Sequence, residues 1–229
     1  VSWTRSRLLV PVLVLVLVAV GAPAAARAQP AADTPLPELI VDRAACPPVE
    51  ACVGLTVHVV VRAGAPVVDA AWVRDQVGHA TRLFAPAGLG FIVTGTRVVP
   101  ETAAVVSTRR DRDRLGRRRL VAGTVDVFVV DRLDDVDVAG QVLNGVHWRQ
   151  RDQRERRWII VAATARPVTL AHELGHFFGL PHSTELVSLM NKTPGPGRPA
   201  MLELRFTEAE LATIVTTARG LRRGRLRAP

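Results

Sequence analysis

The sequence predicts an α+β domain, and three observations carry that expectation. Runs of β-branched and apolar residues recur through the middle of the chain; a segment with helical spacing follows the last of them; and a capping sequence opens one more helix after an irregular stretch. Residues 55–62 (LTVHVVVR) read as the first strand. A helix is expected over 66–84, because Ala70, Val73, Val77, Ala80 and Phe84 are spaced three and four apart. Residues 88–99 read as a strand broken by glycines, 125–130 as a buried strand, and 142–148 and 158–162 (WIIVA) as two more around a charged turn. Leu170, Leu174, Phe177 and Phe178 then form an apolar stripe, with Pro167 suited to a first helical turn. Pro194-Gly195-Pro196-Gly197 marks a loop. Thr207-Glu208-Ala209-Glu210 is a capping box, and Leu211, Ile214, Val215 and Ala218 give the face of a last helix. No internal repeat is present.

The N-terminus carries a different signal. Arg5 and Arg7 precede an apolar run over 8–20, and Ala26-Arg27-Ala28 follows. This is the order of a secretory signal peptide, with cleavage expected before Gln29. An uncleaved anchor is the competing reading, but the run is short for a span and holds Pro11. The expected division is a signal peptide over 1–28, an extended proline- and alanine-rich leader over 29–53, the folded main domain over 54–219 and a basic tail over 220–229. The formal charge of +9 falls to +6 without Arg5, Arg7 and Arg27. Lys192 is the single lysine, and this arginine-, alanine- and valine-rich usage suits a GC-rich bacterial source. A secreted or periplasmic location is therefore expected, with no stable membrane insertion after cleavage.

The charge run at 107–119 (STRRDRDRLGRRR) has no interleaved aromatic residue, which argues against nucleic-acid binding. It reads as a solvated loop. Residues 131–137 (DRLDDVD) are acidic; a weak calcium site is the alternative to a solvated loop, and nothing supports it. His58 reads as a packed or edge residue of its strand, and His79 as solvated. His147 has no assigned role, although it could lie near a cleft. Cys46 and Cys52 are the only cysteines. In an exported chain they most simply form a local disulfide, the alternative being a thiolate that caps a metal before activation.

The strongest chemical signal lies at 171–182 (AHELGHFFGLPH), which contains HExxHxxGxxH. On a helix, His172 and His176 stand one turn apart on the same face, so both imidazoles can reach one zinc ion. Glu173, one position on, points beside the metal and can act on a water there as general base and then acid. Gly179 reads as a helix stop, since glycine adopts positive φ at little cost. The turn there lets His182 return as a third ligand. Three histidines leave a fourth position open, where zinc would acidify a water and polarise a carbonyl.

These residues resemble the metzincin zinc metallopeptidases. The resemblance extends to Ser188-Leu189-Met190, whose methionine falls eight residues after His182 and corresponds to the Met-turn, a hydrophobic floor beneath the metal. Serine after the third histidine and the short distance to Met190 are most similar to the matrixin branch. The chain has no tyrosine, so the Met-turn tyrosine ligand of other branches has no counterpart. The resemblance implies a zincin fold: a mixed, mostly parallel twisted sheet, an active-site helix, and a small C-terminal subdomain with one helix. It also implies one catalytic zinc and a peptide held in extended form along a sheet edge supplied by about 142–148. The pocket for the residue after the cut would follow Met190. The function implied is that of a secreted, monomeric zinc endopeptidase. A zinc-stabilised extracellular binding module is the alternative, and Glu173 argues against it because zinc retention alone does not need that carboxylate.

Overall fold

The computed structural model describes residues 31, 33–39, 50–193 and 195–224. The expected signal peptide, Cys46 and the last five residues of the basic tail lie outside the described residues. The core is a sheet of strand order β3-β1-β5-β8-β7, formed by β1 (Ala51–Arg62), β3 (Leu89–Val99), β5 (Val125–Val130), β7 (Gly145–Arg149) and β8 (Arg157–Ala162). β1 runs parallel to β3 and β5, and β5 parallel to β8; only β7 is reversed among these five. A two-residue strand, β2 (Ala65–Pro66), folds back antiparallel on the end of β1. Two further short strands, β4 (Val105–Val106) and β6 (Arg132–Leu133), pair in parallel outside the main sheet. The α+β class and the mixed, mostly parallel sheet agree with expectation.

Both faces of the sheet are covered, which explains why its central strands are nearly continuous apolar runs. On one face, Val57, Val59 and Val127 meet α1 (Ala70–Phe84), α3 (Thr169–Phe177) and α4 (Glu208–Gly224) through Val77, Phe84, Leu174 and Ile214. On the other face, Phe128, Val130, Trp158 and Ile160 pack with Leu115 of α2 (Arg109–Gly116) and with Val106 and Leu133. His58 lies inside this second layer. It stacks on Phe128 at 4.3 Å and bonds Asp126 at 2.8 Å, both fully or nearly fully buried. Burial raises the Asp126 pKa. The pair is a packed core element, as expected for His58.

Four elements differ from the sequence reading. The first helix begins at Ala70 rather than Pro66, because Val67 N–H bonds the Val60 carbonyl and holds that stretch against β1. Asp69 then caps the helix by accepting from Trp72 N–H at 2.8 Å. Strand β1 starts at Ala51, within the expected leader. Part of the leader is also docked: Asp33 N–H bonds Val98 O, Val98 N–H bonds Thr34 O, and Leu36 exchanges two bonds with the Thr96 hydroxyl. Leu36 and Leu39 are buried in the first core.

The arginine-rich run is the largest correction. It is not a loop but the helix α2, opened by a Thr108–Asp111 capping box. Its inner residues Arg112, Leu115 and Gly116 are buried. Trp148 donates its indole N–H to Asp113 at 2.7 Å, and the Arg112 guanidinium lies 5.0 Å from the Trp148 ring centre. Three of the four aspartates in the acidic stretch after β5 pair with arginines: Asp131 with Arg62, Asp134 with Arg132 and Asp137 with Arg109.

Candidate active site

Helix α3 carries the site, and its position is fixed at both ends. Val168, at the N-cap, has no side chain able to cap. The buried Gln76 of α1 does so instead: its amide accepts from Leu170 N–H at 3.0 Å and donates to Arg166 O at 2.8 Å. At the other end Gly179 takes φ +95°. Gly179 N–H bonds His176 O, and Leu180 N–H bonds Gly175 O, which is the bond pattern of a Schellman stop. The chain then reverses and returns His182 toward the helix, as expected.

The three histidines meet. Each offers one nitrogen, and these atoms all lie within 4.8 Å of one another; no other group of three or more candidate ligands occurs among the described residues. His176 Nε2 and His182 Nε2 are 3.2 Å apart. His172 Nδ1 faces Leu189 O at 2.9 Å, and His176 Nδ1 faces Leu180 O at 2.7 Å. A carbonyl can only accept, so each Nδ1 carries the proton and each Nε2 presents a lone pair. Burial lowers the His172 pKa to about 4 and lowers those of His176 and His182. All three rings are thus neutral near pH 7. Neutral imidazoles with oriented second nitrogens fit a zinc ion with an open position.

Glu173 stands beside this cluster, buried among α3 and β7. Burial pushes its pKa up to about 8, opposed by the His147 backbone N–H and the positive charge of Arg112. A base whose proton affinity is set near neutrality suits proton transfer. Sequence reasoning missed these two supports. Arg112 was read as part of a solvated loop, and the backbone of His147 carries no sequence signal. The His147 ring packs against Phe177 at 5.7 Å, and burial lowers its pKa to about 3. It lies in the cleft wall.

Met190 is fully buried under α3. The approach depends on Gly175: a Cβ there would stand 2.5 Å from Met190 Sδ. Gly145 serves the same purpose across β7, where a Cβ would come within 2.9 Å of Glu173 Cγ. Ser188 locks the turn, donating to Glu210 at 2.6 Å and accepting from Met190 N–H at 2.9 Å. The same Glu210 carboxylate caps α4 by accepting from Thr207 N–H. Met190 O in turn accepts from Ser183 N–H, next to His182. Asn191 is buried and donates to Thr184 O and Glu185 O. Cys52 is disulfide-bonded; Cys46 lies outside the described residues.

Gly175→Ala is expected to cost about 1–3 kcal/mol through overpacking and to weaken metal retention. Adding Met190→Ala should recover part of the stability, read by denaturant titration of the two single variants and the double. Additive losses would show that the two residues do not press on each other.

The histidine cluster opens into a cleft of about 850 Å³. Strand β7 forms one wall, and the segment after Met190 forms the other. Asn144 O and Gln150 N–H both bond toward β8 or its flank, so by alternation Gly145, His147 and Arg149 turn their backbone groups outward. No described helix is long and apolar enough to cross a membrane.

No family model and no curated protein matches the chain. Solved structures resemble it at low identity. Metalloproteinase-II from Bacteroides fragilis is 14% identical at a TM-score of 0.49, over 73% of this chain and 53% of that one. Archaemetzincin from Methanopyrus kandleri is 16% identical at 0.49, over 79% and 99%. Mature mirolysin from Tannerella forsythia, in complex with a cleaved peptide, is 12% identical at 0.48, over 77% and 93%. The chain thus spans about half the length of the Bacteroides protein.

Proposed function

We propose that the chain is a zinc-dependent endopeptidase of metzincin type, nearest the matrixin branch, acting as a monomer outside the cytoplasm. The observation that carries this reading is the convergence of three neutral imidazoles, two of them oriented by backbone carbonyls, with the buried Glu173 carboxylate beside them at an open cleft. His172, His176 and His182 would hold the zinc, which supplies the Lewis acidity that polarises a peptide carbonyl and acidifies a water.

The chain's own residues do the rest. The peptide lies extended against β7, exchanging main-chain hydrogen bonds with the outward groups of Gly145 and Arg149 and with the His147 carbonyl. Glu173 takes a proton from the attacking water as its oxygen bonds the carbonyl carbon. As the C–N bond breaks, Glu173 returns that proton to the departing amine. His147 N–H and Arg112 favour the ionised carboxylate at the start of this cycle. Met190 and Gly175 keep the histidines from shifting during it.

The test is digestion of a peptide library by the purified protein, with and without a zinc chelator. Cleavage that the chelator abolishes and zinc restores is expected. A chain that retains stoichiometric zinc but cleaves nothing would be a binding module, and the peptidase reading would fail.

A further inference from the structure

The cleft is lined by more cations, Arg112, Arg149, Arg166, Lys192 and Arg198, than the chemistry of hydrolysis requires. Its carboxylates, Glu173 apart, are Asp135 and Asp137, on the segment leading into β7, and Asp137 is already paired with Arg109. Arg166 and Arg198 line the cleft together with Val168, Leu189 and Leu204, Arg198 from the segment following Met190. Neither arginine makes an ion pair among the described residues. Lys192, also in the lining, makes none.

Arg198 is the best placed of these. One of its terminal nitrogens donates to Asn191 O at 2.6 Å, and Asn191 is itself buried and pinned by its amide. The guanidinium is therefore held in place rather than trailing into solvent. Its Nε is enclosed and has no hydrogen-bond partner. It lines the same cleft as His172, His176 and His182. A guanidinium anchored at one terminal nitrogen, free of any ion pair and lining a cleft is a receptor for a carboxylate, because a charge-assisted hydrogen bond is stronger than a neutral one.

We propose that Arg198 is a specificity-determining residue that binds a glutamate or aspartate side chain on the amine side of the scissile bond, so that the substrates are acidic peptides. The proposal rests on the peptidase reading above. Arg166 and Lys192 add to the field that draws such peptides into the cleft. The chain's net charge of +9 has the same sign.

The experiment uses the zinc-loaded protein and three matched peptides that differ only in the residue after the cut: glutamate, alanine or arginine. The wild type is expected to show a kcat/KM for the glutamate peptide about tenfold or more above the alanine peptide, the worth of one charge-assisted hydrogen bond. The ratio should shrink as salt rises. Arg198→Ala should bring the ratio close to one, and Arg198→Glu should reverse it in favour of the arginine peptide. The reversal is a gain that a merely unfolded variant cannot produce. Cleavage of all three peptides at equal rates, or a glutamate preference that survives Arg198→Ala, overturns the specificity proposal and leaves the peptidase reading standing. Cleavage of none of them, or of any library peptide, overturns both.

Discussion

Glu173→Gln is expected to reduce peptide hydrolysis by about 10²–10⁴-fold, the usual contribution of a positioned general base, while leaving zinc content unchanged. Glutamine keeps the shape that fits between Gly145 and α3 but cannot accept the water's proton. Single-turnover cleavage assays beside metal analysis check both halves, and undiminished hydrolysis would remove Glu173 from the mechanism.

The same variant has a stability signature in the metal-free protein. The folded pKa of Glu173 is about 8, against an ordinary value of 4.5. Between those values the folded state binds more protons than the unfolded state, so this group's contribution to stability falls as pH rises through that window. Wild-type metal-free protein should therefore lose a few kcal/mol from pH 5 to pH 9 through this residue, and Glu173→Gln should not. His172 has the opposite sign. Its folded pKa is near 4, so its contribution is lost as pH falls below its ordinary value. Comparing the variant with the wild type isolates the Glu173 component. Urea titrations of both proteins at the two pH values measure it, and parallel pH dependences would contradict the assigned burial.

Trp158→Ala is the second large effect, expected to cost about 3–5 kcal/mol. Trp158 is fully buried on β8 and meets Phe128 edge to face at 6.5 Å. Its ring fills the space above Gly116, where a Cβ would come within 2.5 Å. Truncation opens a cavity between the sheet and α2, and α2 carries Arg112 toward the site. Trp158→Phe should cost much less, under about 2 kcal/mol, because the indole N–H has no partner to lose. Denaturant midpoints of the metal-loaded variants decide it; equal losses for Ala and Phe would mean that the N–H, not the ring, matters.

The α2 helix also shows where sequence reading stops. An eight-residue stretch with one apolar residue, Leu115, has too little periodicity to read as a helix. Its anchors lie elsewhere, on Trp148 and Trp158, some 30 to 50 positions away. The same is true of Gln76, which caps α3 from another helix, and of Gly175, whose reason is the sulfur of Met190. By contrast, the histidines, Glu173 and Gly179 were legible because they act within one helical turn and one reversal. The spacing of His172, Glu173 and His176 is fixed by helix geometry alone. The strands over 125–130 and 158–162 were legible for a related reason: burial on both faces leaves an unbroken apolar run.

The two outer strands of the sheet are treated differently. At β3 residues 33 and 34 occupy the backbone groups of Val98 and Leu36 bonds the Thr96 hydroxyl, so the chain itself covers that end of the edge. At β7 the outward groups face the cleft. The two margins thus invite partners unequally: a foreign strand can add beside the histidines, while the docked leader shortens the stretch of β3 left for the edge-to-edge pairing that open sheets invite.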